Sequence, residues 1–151
     1  METLFLSATI DDDPAAQEQA IAHAAAFTQA GRVVVYPTDT LYGIGVDAFN
    51  AQAIDRLYAV KERPREKGIP ILLSDAAMLL AVAVDIPIWV ESLITRYWPG
   101  PLTLVLPRHP RLPANLAPGQ TVAVRIPDHE ISRRFIRAAG GGVATSSANR
   151  T

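Results

Sequence analysis

The chain has 151 residues, of which 49% are hydrophobic and 19% are charged, and its formal net charge at pH 7 is −1. This length predicts one globular domain and excludes a second full domain. The near-zero charge excludes a global electrostatic attraction to nucleic acid or to an anionic membrane, so any affinity for phosphate must come from local clusters of cations.

The residue inventory also restricts the compartment and the chemistry. The chain has no cysteine, which excludes disulfides, thiolate metal sites and a cysteine nucleophile and is compatible with a reducing cytosol. Residues 1–14 have no basic flank and no long apolar run, so we expect neither a signal peptide nor a membrane span. We therefore expect a soluble protein of the cytoplasm.

The first part of the chain predicts one helix, one strand and a polar loop. Asp13 is a typical N-cap for an alanine-rich helix that begins at Pro14 and continues to Ala30. The β-branched run of residues 32–36 predicts a buried strand. Pro37 breaks this strand, and the polar loop follows at once.

The rest of the chain alternates predicted helices with predicted strands. The helices cover residues 51–60 after an Asn50 cap, 75–80 after a Ser74 cap, 87–98 and 130–139. The strands cover residues 69–73, 102–106 and 121–126, and a last strand enters Thr145. Pro70 favours an edge position or an irregular start for its strand. This alternation predicts an α/β fold with helices around a mostly internal sheet.

One arginine stands out within a predicted strand. Alternation places Val122, Val124 and Ile126 on one face of strand 121–126, and Ala123 and Arg125 on the other. A guanidinium on a strand face needs either solvent or an anion. Arg125 is therefore a candidate binding residue.

Three polar segments interrupt the apolar pattern near the ends of predicted elements. They are residues 36–43, 61–67 and 143–149. Their hydroxyls, amide and cations suit a protein that binds anionic substrates. In contrast, the sequence has no phosphate-binding Gly-x-x-x-x-Gly-Lys-Ser/Thr motif, and its three histidines have no metal-ligand spacing. Ser147 has no evident histidine partner, so we expect neither a metal site nor a nucleophilic triad.

Each segment also has a purely structural interpretation that the residues alone leave open. Lysine and arginine complement the C-terminal end of a helix, although Pro64 ends this helix and leaves Arg63, Arg65 and Lys67 on a loop able to hold phosphates. The threonines and aspartate of the first segment form turns, or form a small polar pocket between two tyrosines. Residues 145–149 fit a cap or turn as well as a ligand contact.

Five separated segments resemble the YrdC-like family of threonylcarbamoyl-adenylate synthases. They are YPTDTLYGIG, the Lys-x-Arg of KERP, WPGPLTLVLP, TVAVRIP and the Ser-x-Asn of SSAN, from about Arg32 to Asn149. The resemblance implies a YrdC-like twisted mixed sheet with flanking helices and a concave basic cavity. It also implies that L-threonine, bicarbonate and ATP with Mg²⁺ react to give threonylcarbamoyl-AMP and pyrophosphate.

The same resemblance implies partners and residue roles. The product serves the N6-threonylcarbamoyl modification of adenosine (t6A) in tRNA, so the implied partners are downstream t6A transferase proteins and, for some family members, tRNA or double-stranded RNA. The implied threonine-binding residues are Thr40, Arg125 and Thr145. The implied ATP-binding residues are Arg63, Lys67, Thr121 and Ser147. The implied catalytic residues are Lys61, Arg63, Ser147 and Asn149.

The chain departs from the family pattern in three ways. Members continue for some tens of residues beyond Ser-x-Asn, so we expect residues 1–151 to be one YrdC-like domain truncated at its C-terminus. Many members have a histidine in the strand at 69–73, and here Lys67-Gly68 replaces a common Asn-Pro. Two alternatives to the enzyme therefore stay open, namely a double-stranded RNA or nucleotide-binding module without catalysis and a non-catalytic remnant of the fold.

Overall fold

The computed structural model describes residues 2–9 and 11–150; Met1, Ile10 and Thr151, which belong to the predicted domain of residues 1–151, lie outside the described residues. The helices are α1 Pro14–Gln29, α2 Ala51–Lys61, α3 Leu79–Val82, α4 Val90–Tyr97 and α5 Glu130–Ala138. The strands are β1 Val34–Tyr36, β2 Gly43–Asp47, β3 Ile71–Leu73, β4 Leu104–Pro107, β5 Thr121–Arg125 and β6 Gly142–Ser147. Short 3₁₀ turns cover Arg65–Lys67, Ala76–Met78 and Ala114–Leu116.

Helices α1 and α2 begin at the predicted caps. The Asp13 carboxylate accepts a hydrogen bond from the Ala16 amide at 3.3 Å, and the Asn50 side chain accepts one from the Ala53 amide at 3.1 Å. These bonds satisfy amide groups that the first turn of a helix leaves without partners. Gly31 follows α1 with a φ of +76°, a left-handed conformation that glycine adopts without strain.

The six strands form one mixed sheet in the order β1-β2-β6-β3-β5-β4. Neighbouring strands are antiparallel except β3 and β5, which are parallel. The structure thus confirms the mixed sheet with flanking helices. It also places β3 at the centre between β6 and β5, so the edge position that Pro70 favoured is wrong. Pro70 lies just before β3, where its missing N–H costs nothing, and its carbonyl accepts the Thr145 amide at 2.9 Å.

Strand β2 was not predicted, because the first polar segment was interpreted as a loop. Gly43 and Gly45 lie in β2, paired in register with Ser147 and Thr145 of β6. A Cβ atom at Gly43 would lie 2.7 Å from Thr145 Cγ2, and one at Gly45 would lie 2.7 Å from Val143 Cγ1. Close packing across the two strands, and not a turn, therefore requires glycine at both positions.

The helices predicted at residues 75–80 and 87–98 are shorter or less regular than expected. The Ser74 hydroxyl donates to the Asp75 carboxylate at 3.0 Å and caps no helix, so that a 3₁₀ turn precedes α3. Helix α4 begins at Val90, because the turn from Pro87 makes only an i to i+3 bond, from the Val90 amide to the Pro87 carbonyl at 3.0 Å. Turns with i to i+3 hydrogen bonds therefore occupy the first residues of both predicted helices.

Side chains from the two faces of the sheet form two hydrophobic clusters. The larger cluster packs α2, through Ile54 and Leu57, against one face of the sheet. The smaller cluster packs α1 and α5 against the opposite face, where Tyr36, Leu72 and Val143 lie. Arg125 pairs with Leu72 and so shares the face of the smaller cluster. None of the helices within residues 2–9 and 11–150 combines the length and the apolar character that a bilayer crossing requires.

Candidate functional site

The three polar segments meet at one end of the sheet. Strands β1 and β6 finish at this end and β2 begins there, because Tyr36 pairs with Gly43 and Gly43 pairs with Ser147. Strands β3 and β5 begin at the same end, since β3 is antiparallel to β6 and parallel to β5. The sheet topology therefore brings together segments that are far apart along the chain.

The first side-chain cluster joins Lys61 to the Ser-x-Asn segment. Lys61 lies in the last turn of α2 and is 8% exposed. Its ammonium donates to the carbonyl of Ser147 at 2.9 Å and to the carbonyl of Asn149. The Ser147 hydroxyl donates to the Asn149 side-chain carbonyl. Three of the four predicted catalytic residues are thus in direct contact, and a buried cation with backbone carbonyls as partners holds the segment in place.

The remaining cations of the 61–67 segment have different surroundings. Arg63 is half-buried and donates from Nε to the Gly68 carbonyl at 2.8 Å. Arg65 forms an ion pair with Asp55 at 2.7 Å and lies 4.9 Å from the ring centre of Tyr58. Arg65 therefore connects this loop to α2 through side-chain contacts.

Two predicted ATP-binding residues are exposed and lie beyond these contacts. Lys67 ends the 3₁₀ turn that precedes β3, and Thr121 begins β5. Both belong to the end of the sheet at which Ser147 lies, because β3 and β5 begin where β6 finishes. Their positions allow contact with a ligand that covers this end.

The second cluster surrounds Arg125, which is 8% exposed. Its Nη2 atom donates to the Asp39 carboxylate at 2.8 Å and to the Thr40 hydroxyl at 3.2 Å. Its Nη1 atom lies 3.5 Å from the carbonyl of Gly100, whose amide donates to the Ile126 carbonyl at 2.9 Å. The anion that Arg125 needs is thus supplied by the chain itself. Sequence reasoning named Thr40 and Arg125 but missed Asp39 as their partner, although a lone arginine in an apolar strand signals a carboxylate nearby.

Thr145 lies in the floor of the site and is 6% exposed. Its hydroxyl donates to the Val143 carbonyl at 3.0 Å, so the Tyr36 hydroxyl, 2.5 Å away, donates to Thr145. Burial raises the pKa of the Tyr36 phenol above its ordinary value, against the opposing effects of the Thr145 hydrogen bond and the Arg125 charge. Thr145 and Tyr36 therefore form a neutral, fully committed hydrogen-bond pair beneath the two charged clusters.

The loop of residues 37–42 connects the two clusters. Thr40 contacts Arg125, and two residues later the Tyr42 carbonyl accepts the Ala148 amide at 2.8 Å. Within the loop the Thr38 hydroxyl donates to the Leu41 carbonyl. A cavity of about 270 Å³ lies beside it, lined by Leu41, Tyr42, Ser147, Ala148 and Asn149. The arrangement therefore offers a buried guanidinium at the middle of the loop, and hydroxyl and amide groups beside its end at Tyr42.

Within residues 2–9 and 11–150, no group of three or more histidine, aspartate or glutamate side chains is placed to hold a metal ion.

Comparison with known proteins gives a consistent result across family, sequence and structure. The Sua5/YciO/YrdC family model, described as telomere recombination, matches residues 26–151. The chain is 40% identical over 134 residues to a threonylcarbamoyl-AMP synthase of Pyrococcus abyssi and 35% identical over 154 residues to one of Bacillus subtilis. The crystal structure of P. abyssi Sua5 complexed with L-threonine superposes with a TM-score of 0.85 at 39% identity.

These matches cover most of this chain but less than half of the relatives. The alignments include 88% and 99% of this chain, and 39% and 44% of the P. abyssi and B. subtilis proteins. The structural superposition covers 87% of this chain and 39% of P. abyssi Sua5. The chain thus corresponds to well under two thirds of the length of these relatives.

Proposed function

This chain belongs to the Sua5/YciO/YrdC family, and from that premise we propose that it provides the substrate-binding domain of a threonylcarbamoyl-AMP synthase. In this proposal L-threonine, bicarbonate and ATP give threonylcarbamoyl-AMP and pyrophosphate for the t6A modification of tRNA. The names of the relatives support the activity, and the complex of P. abyssi Sua5 with L-threonine supports threonine as one ligand.

The observation that carries the proposal is the connection of two clusters by one loop. Arg125 contacts Thr40 in the middle of loop 37–42, and Ser147 and Asn149 contact Lys61 beside the end of the loop at Tyr42. A reaction that joins an amino-acid carbamate to a nucleotide needs two anionic reactants held side by side. Orienting two reactants in this way removes much of the entropic barrier to their reaction.

The proposed chemistry requires positioning and charge compensation. The threonine amine and bicarbonate form a carbamate with loss of water, and a carbamate oxygen attacks the α-phosphorus of ATP while pyrophosphate leaves. Arg125 and Thr40 bind the amino acid above the floor that Thr145 forms. Arg63, Lys67, Thr121 and Ser147 contact ATP, with Lys61 and Asn149 shaping the phosphate site. Negative charge that builds on the phosphate oxygens is stabilised by preorganised donors, each of which contributes on the order of a few kcal/mol.

Magnesium, partners and compartment complete the proposal. We propose that Mg²⁺ enters bound to the ATP phosphates, since it prefers phosphate oxygens and water to nitrogen ligands. The reaction takes place in the cytoplasm, and the product passes to t6A transferase proteins. Direct contact with tRNA or double-stranded RNA is a secondary proposal.

We expect Arg63→Ala to weaken ATP binding by about ten- to a hundredfold, because it removes a charged hydrogen-bond donor worth about 1.5–3 kcal/mol. Lys61→Ala should lose ATP binding as well, since Lys61 holds the Ser147–Asn149 segment. Titration calorimetry with ATP and L-threonine, separately and together, measures binding. Bicarbonate-dependent pyrophosphate release measures turnover.

Arg65→Ala is the matched control from the same loop, because Arg65 pairs with Asp55 and is outside the proposed site. It should retain ATP affinity. Equal ATP affinity in wild type and Arg63→Ala would contradict the assignment of the phosphate site. Tight, strongly salt-dependent RNA binding that ignores ATP and threonine would instead support the RNA-binding module.

A further inference from the structure

The guanidinium of Arg125 is already occupied by groups of its own chain. Asp39 and Arg125 form an ion pair at 2.8 Å, with side chains only 13% and 10% exposed. The Thr40 hydroxyl accepts a second bond from the same nitrogen, Nη2, at 3.2 Å. Both side-chain hydrogen bonds of Nη2 therefore go to residues of loop 37–42.

This occupation blocks the geometry in which arginine binds a carboxylate most strongly. A guanidinium presents two planar edges to a carboxylate, one formed by Nε and Nη2 and the other by Nη1 and Nη2. Both edges need Nη2, and this nitrogen already donates to Asp39 and to Thr40. A second carboxylate can pair with Arg125 through two hydrogen bonds only if Asp39 or Thr40 leaves.

We propose that Asp39 is an internal competitor that occupies the substrate-carboxylate position of Arg125 until an amino acid displaces it. The proposal rests on the proposed function, which assigns the threonine carboxylate to Arg125. Asp39 is the group that leaves, because a carboxylate and not a hydroxyl is the chemical equivalent of the incoming group. Substrate binding is then an exchange of one carboxylate for another, and it shifts the middle of loop 37–42 away from β5.

The anchors of the loop make this exchange feasible without disturbing the sheet. The Pro37 carbonyl accepts the Ser132 hydroxyl of α5, and the Tyr42 carbonyl accepts the Ala148 amide. Between these anchors, the Thr38 hydroxyl accepts the Thr40 amide at 3.2 Å, which keeps the central residues together. Movement of residues 38–41 therefore breaks the bonds of the loop to Arg125 and leaves both anchors in place.

The test is the affinity of the Asp39→Asn variant for L-threonine, measured by titration calorimetry in the presence of ATP. Removing the competing charge while keeping the side-chain shape should tighten L-threonine binding by about three- to tenfold, because a site that is closed most of the time binds with an affinity reduced by its open fraction. L-threonine amide, which lacks the carboxylate, should bind Asp39→Asn no more tightly than wild type. The matched control is Glu18→Gln, which also neutralises an arginine-paired carboxylate, 2.7 Å from Arg134 and 70% exposed, and should leave both affinities unchanged.

Weaker or equal binding of L-threonine by Asp39→Asn would overturn the proposal and make Asp39 a residue that positions Arg125 or contacts the substrate. Amide hydrogen exchange without ligand gives an independent readout, since residues 38–41 should exchange faster in Asp39→Asn and in Asp39→Ala than in wild type. If wild type and variants all fail to bind L-threonine, the proposed function is wrong. If residues 38–41 exchange at the wild-type rate in both variants, Asp39 does not hold the loop on Arg125 and is not an internal competitor.

Discussion

At the scale of single residues, the cations and hydroxyls of the site are compensated by the chain itself. Arg125 has Asp39, Lys61 has two backbone carbonyls, and Thr145 has Tyr36. Burying polar groups with partners avoids the desolvation cost that unpaired groups would carry. A ligand group that binds the Arg125 edge used by Asp39 must consequently exchange with this carboxylate.

The buried phenol of Tyr36 predicts a loss of stability at alkaline pH. Because the folded-state pKa of Tyr36 is raised by burial, folding favours the neutral phenol. The contribution of the Tyr36 phenol to the free energy of unfolding is fully present below a pH of about 10, the pKa of tyrosine in the unfolded chain. This contribution is lost as the pH rises above that value towards the folded-state pKa. Tyr36→Phe should reduce the free energy of unfolding by about 1 kcal/mol at pH 7 and flatten its decline above pH 10.

Denaturant unfolding of wild type and Tyr36→Phe between pH 7 and pH 11 tests this prediction. A residual slope is expected in the variant, because burial also raises the pKa of Tyr58. Parallel declines in the two proteins would show that the Tyr36 phenol does not account for the alkaline sensitivity.

At the scale of elements, several residues of the site lie on a strand or helix with a local reason to form. Helix α2 begins at its Asn50 cap and ends with Lys61 pointing to β6. Strand β6 carries Thr145 and Ser147 on one face by alternation, and the glycines of β2 leave space for Thr145. Positioning of Lys61 and Ser147 therefore depends on α2 and β6.

The cap of α2 should be a measurable part of the stability. Asn50→Ala should lower the free energy of unfolding by about 1 kcal/mol, the usual cost of losing an N-cap. Asn50→Asp keeps an oxygen acceptor for the Ala53 amide and should retain most of the stability. Urea unfolding of the three proteins measures the effect, and equal midpoints for wild type and Asn50→Ala would be inconsistent with a stabilising cap.

At the scale of the whole molecule, loop 37–42 connects the two halves of the site. It is bonded to Arg125 of β5 through Thr40 and to the residue after β6 through the bond from the Ala148 amide to the Tyr42 carbonyl. A ligand that moves residues 38–41 therefore acts on a segment that stays anchored beside Ser147 and Asn149 through the bond from the Ala148 amide to the Tyr42 carbonyl. Coupling through an element shared by both sites is reciprocal between the two ligands.

We expect L-threonine to increase the affinity for ATP by about fivefold or more, the effect of about 1 kcal/mol of coupling, and ATP to increase the affinity for L-threonine by the same factor. Ala148→Pro removes the amide that the Tyr42 carbonyl accepts and should reduce this coupling, whereas Ala148→Gly keeps the amide and should preserve it. Calorimetry of each ligand with and without the other gives both factors. Identical coupling in the two variants would exclude the loop as the connection.

The sequence by itself determined the elements whose signals lie within a few residues. The caps Asp13 and Asn50 and the alternation around Arg125 predicted α1, α2 and β5 with small errors at their ends. The motifs also identified Lys61, Ser147 and Asn149, which the structure brings into contact. These signals are local because helix caps act within one turn and strand alternation needs only neighbouring residues.

Only the tertiary structure decided the features that depend on distant partners. Gly43 and Gly45 have poor strand propensity, and their place in β2 follows from packing against Val143 and Thr145 of β6. The pairing of Asp39 with Arg125 joins side chains 86 residues apart. Strand order and ion pairs of this kind depend on which segments meet after the chain has folded, and no local pattern of residue types carries that information.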